Sequence, residues 1–205
     1  DDLKRNDMYR ANAQRAKAQS RFADYHDYLL SLEMTAEIGD FSPLYLQRIT
    51  QLTNKSNQFN LTTKRYTAEQ MEAVYNSDEY IRLYGKLYDK FGDNGVVAVT
   101  IGKTDSEDKG RLDIELWLMS CRVLKRDMEL AMLDSLVAQA KKRGIREIYG
   151  HYYPTAKNKM VAGLYESFGF EKISQDEEGN TAWRLLVEGY EDKNTVIKVK
   201  EEHYA

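Results

Sequence analysis

Three segments in the middle of the chain alternate apolar and polar residues with a period of two, which is the pattern of β-strands. Turn-forming residues at 92–95 and a polar run at 103–110 separate these segments. Consecutive strands with such short connections predict an antiparallel meander. The predicted strands are residues 80–88, 95–102 and 112–119.

Helical spacing dominates the chain before the meander. Residues 2–32 contain no Gly or Pro, and their apolar positions recur at helical intervals, so we predict one or two helices. Residues 34–38 predict a short strand. Ser42 and Pro43 are typical of a helix start, and residues 67–70 fit a capping box that opens another helix.

The pattern after the meander predicts alternating helices and strands. An amphipathic helix begins near Asp127 and ends in a basic run before Gly144, which favours a helix C-terminus there. The charged tail from Glu188 holds one more strand candidate, residues 195–199. The remaining predicted elements are a strand at 145–153, a helix at 158–168, and a closing hairpin of strands at 170–174 and 182–187.

The resulting order is strand, two helices, three strands, helix, strand, helix and two strands. This order resembles the GNAT acyltransferase fold, an α+β fold whose mixed, mostly antiparallel sheet is flanked by helices. We expect a helical extension at residues 1–32, the GNAT-like domain at 33–188 and a charged tail at 189–205. Because the chain starts with two aspartates rather than methionine, we expect the native protein to be longer.

Composition narrows the functional classes. The 205 residues include 42% hydrophobic residues, which is typical of a globular protein. The net charge of -3 argues against bulk nucleic-acid binding, and the apolar runs are too short for a membrane span. A single cysteine excludes an intrachain disulfide and suits the cytoplasm. The three histidines are scattered without metal-ligand spacing, so we expect no metal: His26, His151 and His203.

Asn158 and Tyr165 belong to a pattern that resembles the N-x6-Y-x3-G-F signature of GNAT acyltransferases. Seven residues are about two helical turns, so the two side chains would share one helix face. The resemblance implies that this face lines the thioester and that Tyr165 protonates the departing thiolate. The alternative is a core tyrosine and an asparagine at a helix start.

The segment between the third meander strand and the amphipathic helix lies where GNAT proteins carry [QR]-x-x-G-x-[GA]. Glycines there let backbone N–H groups approach a pyrophosphate. Arg122 keeps the first position, but Lys125 and Asp127 replace both glycines, so we predict weak CoA binding. Alternatively, Asp127 simply caps the helix. The candidate cofactor-binding residues are Arg122, Val123, Lys125, Arg126 and Asp127.

Several longer stretches resemble FkbH-type proteins. Residues 51–63 read QLTNKSNQFNLTT, close to that family's QLTNKTNQFNLTT. Residues 89–95 match its D-x-F-G-D-x-G element, residues 119–124 its M-S-C-R-V-L, and residues 152–158 its Y-x-P-T-x-K-N. The resemblance covers the chain to about Glu188.

The FkbH-type resemblance implies a domain that transfers a glyceryl or related acyl group to the phosphopantetheine thiol of an acyl carrier protein. The expected cofactor is a carrier-bound phosphopantetheine thioester or CoA. That family also has an N-terminal HAD-like phosphatase domain, which would be a partner. This chain lacks the D-x-D-x-[TV] motif of such a domain.

Acyl transfer to a thiol needs an oriented thioester and a proton carrier. We assign these roles to Asn158 and Tyr165. Cys121, beside several cations, would hold the acyl group as an enzyme thioester or, alternatively, serve as a small buried hydrophobe. Asp113 and Glu115 lie on one face of a strand. Each is a candidate base, and the alternative is an ordinary surface carboxylate.

The stretch at residues 51–66 is rich in amides and hydroxyls, which suit a polyhydroxylated acyl group. A network of capped turns is the competing explanation. Together with Glu115, the candidate substrate-binding residues are Asn54, Asn57, Gln58, Asn60 and Thr62.

Two other functions remain open. One is an ordinary CoA-dependent GNAT N-acetyltransferase, against which the loss of both loop glycines counts. The other is a non-catalytic module that docks the carrier protein.

Overall fold

The computed structural model describes residues 2–202, with side chains up to residue 200; His203 lies outside the described residues. Eight strands form a single mixed sheet in the order β6-β7-β5-β4-β3-β2-β1-β8. The strands are β1 (Thr35–Gly39), β2 (Tyr80–Asp89), β3 (Gly92–Thr104), β4 (Arg111–Met119), β5 (Glu147–Tyr152), β6 (Glu171–Gln175), β7 (Thr181–Leu186) and β8 (Lys198–Glu202).

Helices cover both faces of this sheet. One buried cluster joins α5 to the sheet, and a second joins α3 and α4 to its opposite face. β4 is continuously buried over residues 116–119, where both faces are packed, and alternates between buried and half-buried over residues 111–115, where one face is more open. The helices are α1 (Asp2–Gln19), α2 (Tyr25–Ser31), α3 (Pro43–Lys55), α4 (Ala68–Tyr75), α5 (Met128–Lys142) and α6 (Leu164–Ser167).

The predicted meander is confirmed, because β2, β3 and β4 pair in antiparallel order. The predicted capping box is also present. The Thr67 side chain accepts a hydrogen bond from the backbone N–H of Gln70, and the Gln70 side chain accepts one from the backbone N–H of Thr67. The tail adds an edge strand, as predicted, but at residues 198–202 rather than 195–199. This strand pairs in parallel with β1.

The prediction of one continuous helix at 158–168 is wrong. A short 3-10 helix, Lys159–Val161, is followed by the four-residue α6. Asn158 precedes the 3-10 helix with φ −105° and ψ 21°, outside helical geometry. Asn158 and Tyr165 therefore do not lie two turns apart on one helix.

Strands β4 and β5 pair in parallel over only three residues and then diverge. Residues 59–61 fill the gap beyond that point. The backbone N–H of Leu61 donates to the carbonyl of Trp117 on β4, and the N–H of Tyr153 donates to the carbonyl of Leu61. The connection between α3 and α4 thus forms a short antiparallel insert at the centre of the sheet.

Candidate functional site

An open cleft of about 460 Å³ lies beside the point where β4 and β5 diverge. Its walls come from β4, from β5 and the residue after it, and from the connection between α3 and α4. Because polar and titratable side chains converge there, it is the candidate site. The lining residues are Thr62, Lys64, Asp113, Ile114, Glu115, His151 and Tyr153.

His151 and Asp113 form a hydrogen-bonded pair in this cleft, with 2.8 Å between His151 Nε2 and Asp113 Oδ1. Arg111 donates two further hydrogen bonds of 2.9 Å to the same carboxylate. A carboxylate only accepts, so the pair places a proton on His151 Nε2 and leaves Nδ1 as the lone-pair nitrogen of the neutral ring. The arrangement is that of an oriented general base.

Asp113 stays ionised at neutral pH. Burial opposes its ionisation, but hydrogen bonds from His151 and Arg111 outweigh burial and hold the pKa of Asp113 below its usual value. Because the folded-state pKa is lower than the ordinary aspartate pKa near 4, this pairing stabilises the fold at pH values above about 4. The stabilisation is lost as the pH falls from there through the lower folded-state pKa. The His151–Asp113 pair is thus intact at neutral pH.

Glu115 is the second carboxylate of the cleft, and a β-bulge in β4 positions it. The pairing with β3 skips from Leu116 to Ile114, so Glu115 is the extra residue. Its Oε2 atom lies 3.1 Å from Lys64 Nζ and 3.5 Å from the Tyr66 hydroxyl. The Thr62 hydroxyl donates to the Glu115 carbonyl at 2.6 Å. Glu115 and Thr62 therefore line the cleft, and their role as substrate-binding residues stays a prediction.

Most of the predicted amide contacts are instead used by the chain itself. Asn60 is fully buried; its Nδ2 donates to the Ser56 carbonyl, and its Oδ1 accepts from the N–H of Thr63. The Asn54 Nδ2 donates to two carbonyls, and the Asn57 Oδ1 accepts from Arg65. These three amides form the network of capped turns, which was the competing explanation. Gln58 is exposed outside the cleft lining.

The Asn158 side chain is committed to the backbone. It is fully buried, and its Nδ2 donates to the carbonyls of Asn60 at 2.9 Å and Tyr153 at 3.0 Å. Its Oδ1 accepts from the N–H of Thr155 at 2.7 Å. With both donors used, Asn158 fastens the insert at 59–61 to the loop after β5 and has no donor left to orient a thioester.

Tyr165 is sealed in the core cluster that includes α5. Its ring lies against Gly150, where a Cβ would come within 2.4 Å of it, and packs edge-on against Trp117. The hydroxyl is buried, and burial raises the pKa of Tyr165 although the backbone of His151 opposes the shift. The hydroxyl makes no hydrogen bond within residues 2–200. Its electrostatic neighbours are the backbone of His151 and the side chain of Tyr153, both of which line the cleft, so Tyr165 lies behind the cleft wall and does not line the cleft itself.

Cys121 begins a 3-10 helix, Cys121–Val123, directly after β4 and is exposed. It lies six residues beyond Glu115, which corresponds to roughly 20 Å along an extended strand. We expected Cys121, Asn158 and Tyr165 to converge on one cleft between the strands. The structure does not bring them together there. The expectation fails because the insert at 59–61 occupies that gap.

The connection between β4 and α5 is turned toward the N-terminal helices. Arg126 is buried; it donates to the Arg122 carbonyl and lies 3.4 Å from Asp89, so its charge faces inward. The Tyr25 hydroxyl of α2 donates to the Lys125 carbonyl. Val123 is fully buried. Only Arg122, Lys125 and part of Asp127 remain accessible among the predicted cofactor-binding residues.

Lys125 and Asp127 keep the left-handed backbone that glycine favours, with φ of 64° and 65°. Asp127 does precede α5, but its side chain makes no capping hydrogen bond. Burial raises the pKa of Asp127.

The sequence analysis missed His151, Lys64 and Tyr153. A signal for two of them was present: Asp113 and Glu115 alternate on one strand, and His151 and Tyr153 alternate two residues apart on another predicted strand. The missing information was that these strands are parallel neighbours in a register that pairs Asp113 with Tyr149.

Residues 2–202 contain neither a candidate membrane span nor a candidate metal site. No helix there combines the length and the hydropathy of a membrane span. No cluster of three histidine, cysteine or acidic side chains in the same range is arranged to hold a metal ion.

Solved structures similar to this chain include acetyltransferases, several of them of the GNAT family. The ribosomal-protein-S18-alanine N-acetyltransferase of Escherichia coli is 14% identical, with a TM-score of 0.56 over 78% of this chain and 99% of its own. An acetyltransferase of Thermus thermophilus is 13% identical, with a TM-score of 0.56 over 74% and 97%. YncA of Salmonella typhimurium, solved with its cofactor acetyl-CoA, is 14% identical, with a TM-score of 0.55 over 77% and 96%.

No protein-family model matches the sequence, and no curated protein matches it either. The structural likeness confirms the predicted GNAT fold.

Proposed function

We propose that this chain is an acyltransferase domain that transfers a glyceryl or related small acyl group to the phosphopantetheine thiol of an acyl carrier protein. The observation that carries the proposal is the His151–Asp113 pair in the cleft between two strands of a GNAT fold. The FkbH-type resemblance of residues 51–63 supports the choice of acyl group and acceptor. On this basis the chain is one part of a larger enzyme with a HAD-like domain.

His151 is the general base of this mechanism. Its Nδ1 atom takes the proton of the acceptor thiol, and the resulting thiolate attacks the acyl carbonyl carbon. The bond between the acyl carbon and the donor's leaving group then breaks, and the same proton passes from His151 to that leaving group. Asp113 holds the ring and stabilises the imidazolium. Thr62 and Glu115 contact the hydroxyls of the acyl group.

A CoA-dependent GNAT N-acetyltransferase is the second candidate, favoured by the fold likeness to the acetyl-CoA-bound YncA. One feature of this chain counts against it: Tyr25 contacts the connection that would cradle the pyrophosphate of CoA. We therefore expect acetyl-CoA to bind weakly.

The test is acyl transfer from a glyceryl thioester of N-acetylcysteamine to a holo acyl carrier protein, followed by intact-mass spectrometry. His151→Ala should lower the rate by about 10²–10⁴-fold, the usual contribution of a general base. Asp113→Asn should also lower it, whereas His26→Ala, which changes an exposed histidine on α2, should retain it.

The other possible results of this experiment distinguish the competing mechanisms and functions. Wild-type rates in His151→Ala would remove the cleft from the mechanism. A Cys121→Ala variant tests the covalent alternative, because its inactivity alongside an acyl adduct on the wild type would make Cys121 the acyl carrier. Acetylation of an amine by acetyl-CoA, without carrier loading, would favour the second candidate. Carrier binding without transfer would indicate a docking module.

A further inference from the structure

Two loops border the cleft and are fastened to each other. The first spans residues 53–66 and contributes Thr62 and Lys64 to the cleft; the second spans residues 153–163 and contributes Tyr153. The Asn158 amide donates to the Asn60 carbonyl at 2.9 Å, which holds the loops together in the core. We call these two segments the rim; of their residues, Thr62, Lys64 and Tyr153 line the cleft.

This rim carries only positive charge. Neither loop contains an aspartate or glutamate, although the whole chain has 33 acidic residues and a net charge of -3. The two loops therefore differ in sign of charge from the molecule as a whole, although the exposed acidic turn at residues 176–178 approaches the second loop beside Pro154. The basic residues of the rim are Lys55, Lys64, Arg65, Lys157 and Lys159.

Most of these cations are not neutralised. Lys64 has a carboxylate partner, Glu115. The Arg65 guanidinium donates to the carbonyls of Thr53 and Ser56 and to an amide oxygen, which leaves its charge uncompensated. The other three are exposed lysines without an ion pair within the described part of the chain: Lys55, Lys157 and Lys159.

Two large apolar side chains are exposed among these cations. Tyr153 is 44% exposed and Met160 is 53% exposed. Aromatic and methionine side chains inside a polar margin are typical of the centre of a protein–protein interface. A surface for phosphates alone would not need them.

We propose that this basic rim docks an acidic protein that presents the acceptor thiol to the cleft. The proposal rests on the function proposed above and deepens it, because it specifies the surface and the charge of the partner. Charge complementarity would steer the partner to the cleft mouth, and Tyr153 and Met160 would supply the apolar contact. A nucleic acid is the less favoured occupant, because the patch is small and the molecule as a whole is negative.

The test compares two acceptors for a triple variant, Lys55→Glu with Lys157→Glu and Lys159→Glu. The matched control reverses three exposed lysines on helices outside the rim: Lys4→Glu, Lys17→Glu and Lys141→Glu. For an acidic holo acyl carrier protein, the rim variant should raise KM by about tenfold or more and lose its salt dependence, with kcat unchanged. With free pantetheine as acceptor, both variants should match the wild type.

Direct binding separates this proposal from the proposed function. The affinity of the fluorescently labelled carrier, measured by anisotropy without an acyl donor, should fall in the rim variant even if no transfer is found. Wild-type affinity in the rim variant, or an equal loss in the control, would overturn the proposal. Tighter binding of single-stranded RNA than of the carrier would also overturn it.

Discussion

Lys125 and Asp127 adopt a left-handed backbone although neither is glycine. For residues with a side chain this conformation costs about 1–2 kcal/mol. The surrounding contacts impose it: the Tyr25 hydroxyl holds the Lys125 carbonyl, and the intervening Arg126 is drawn inward to Asp89. The backbone path of a glycine-containing turn is thus kept by tertiary contacts, while the exposed side chains change its chemistry.

Replacing Lys125 with glycine should therefore stabilise the protein. The relieved strain exceeds the extra chain entropy of glycine, and we expect the free energy of unfolding to rise by about 0.5–1 kcal/mol. Urea denaturation measures the change. The control is Lys141→Gly, the same substitution in the right-handed helix α5, which should lower stability by about 1 kcal/mol. Destabilisation by Lys125→Gly would mean that its side-chain contacts outweigh the strain.

The insert at residues 59–61 determines whether the space between β4 and β5 is open. It is antiparallel to β4, and the Asn158 side chain locks it from the other side. The expected opening between β4 and β5 is therefore closed within the sheet, and the accessible polar groups lie at the neighbouring cleft.

Asn158→Asp tests this lock. The carboxylate cannot donate, so the buried carbonyls of Asn60 and Tyr153 lose their partners and face a negative charge. We expect a loss of about 2–3 kcal/mol in the free energy of unfolding. Hydrogen exchange of the Tyr153 amide, which donates to Leu61, should also accelerate. Asn6→Asp on the exposed face of α1 is the control for the chemical change and should have little effect. Unchanged exchange in Asn158→Asp would mean that the insert is held by other contacts.

At the scale of the molecule, helix α1 is tied to the sheet and the segment after β7 is tied to α5. Arg15 of α1 forms two hydrogen bonds, of 2.7 and 2.8 Å, with the buried carboxylate of Asp89 at the end of β2. At the other end, Asp134 of α5 accepts from the Tyr190 hydroxyl and from the N–H groups of Lys193 and Asn194. α1 has few apolar contacts, since Ala11 and Arg15 are its buried residues.

Asp89→Ala should lower the free energy of unfolding by about 3–5 kcal/mol, because it leaves the buried guanidiniums of Arg15 and Arg126 without a carboxylate. Arg15→Met should cost less, since Arg126 still pairs with Asp89, but should free α1. Urea denaturation measures the first effect, and limited proteolysis near residues 20–24 measures the second. Asp78→Ala, at an exposed position, is the control. Protection of α1 in Arg15→Met would show that other contacts hold this helix.

The sequence by itself determined the order of the elements and the antiparallel meander. Periodicity and turn residues act locally, so they were sufficient for the strands from residue 80 to residue 119 and for the GNAT fold. They were insufficient at 158–168, where the Asn158 side chain bonds to distant backbone and the helix is broken.

Only the tertiary structure decided which residues form the candidate site. His151 and Asp113 are separated by 38 positions and meet because β4 and β5 are parallel neighbours for three residues. Tyr165 is buried in the core and Cys121 is exposed, while the insert at 59–61 occupies the place between the strands. Local pattern determines which face of an element is apolar, whereas strand pairing and long-range hydrogen bonds determine which polar side chains come together.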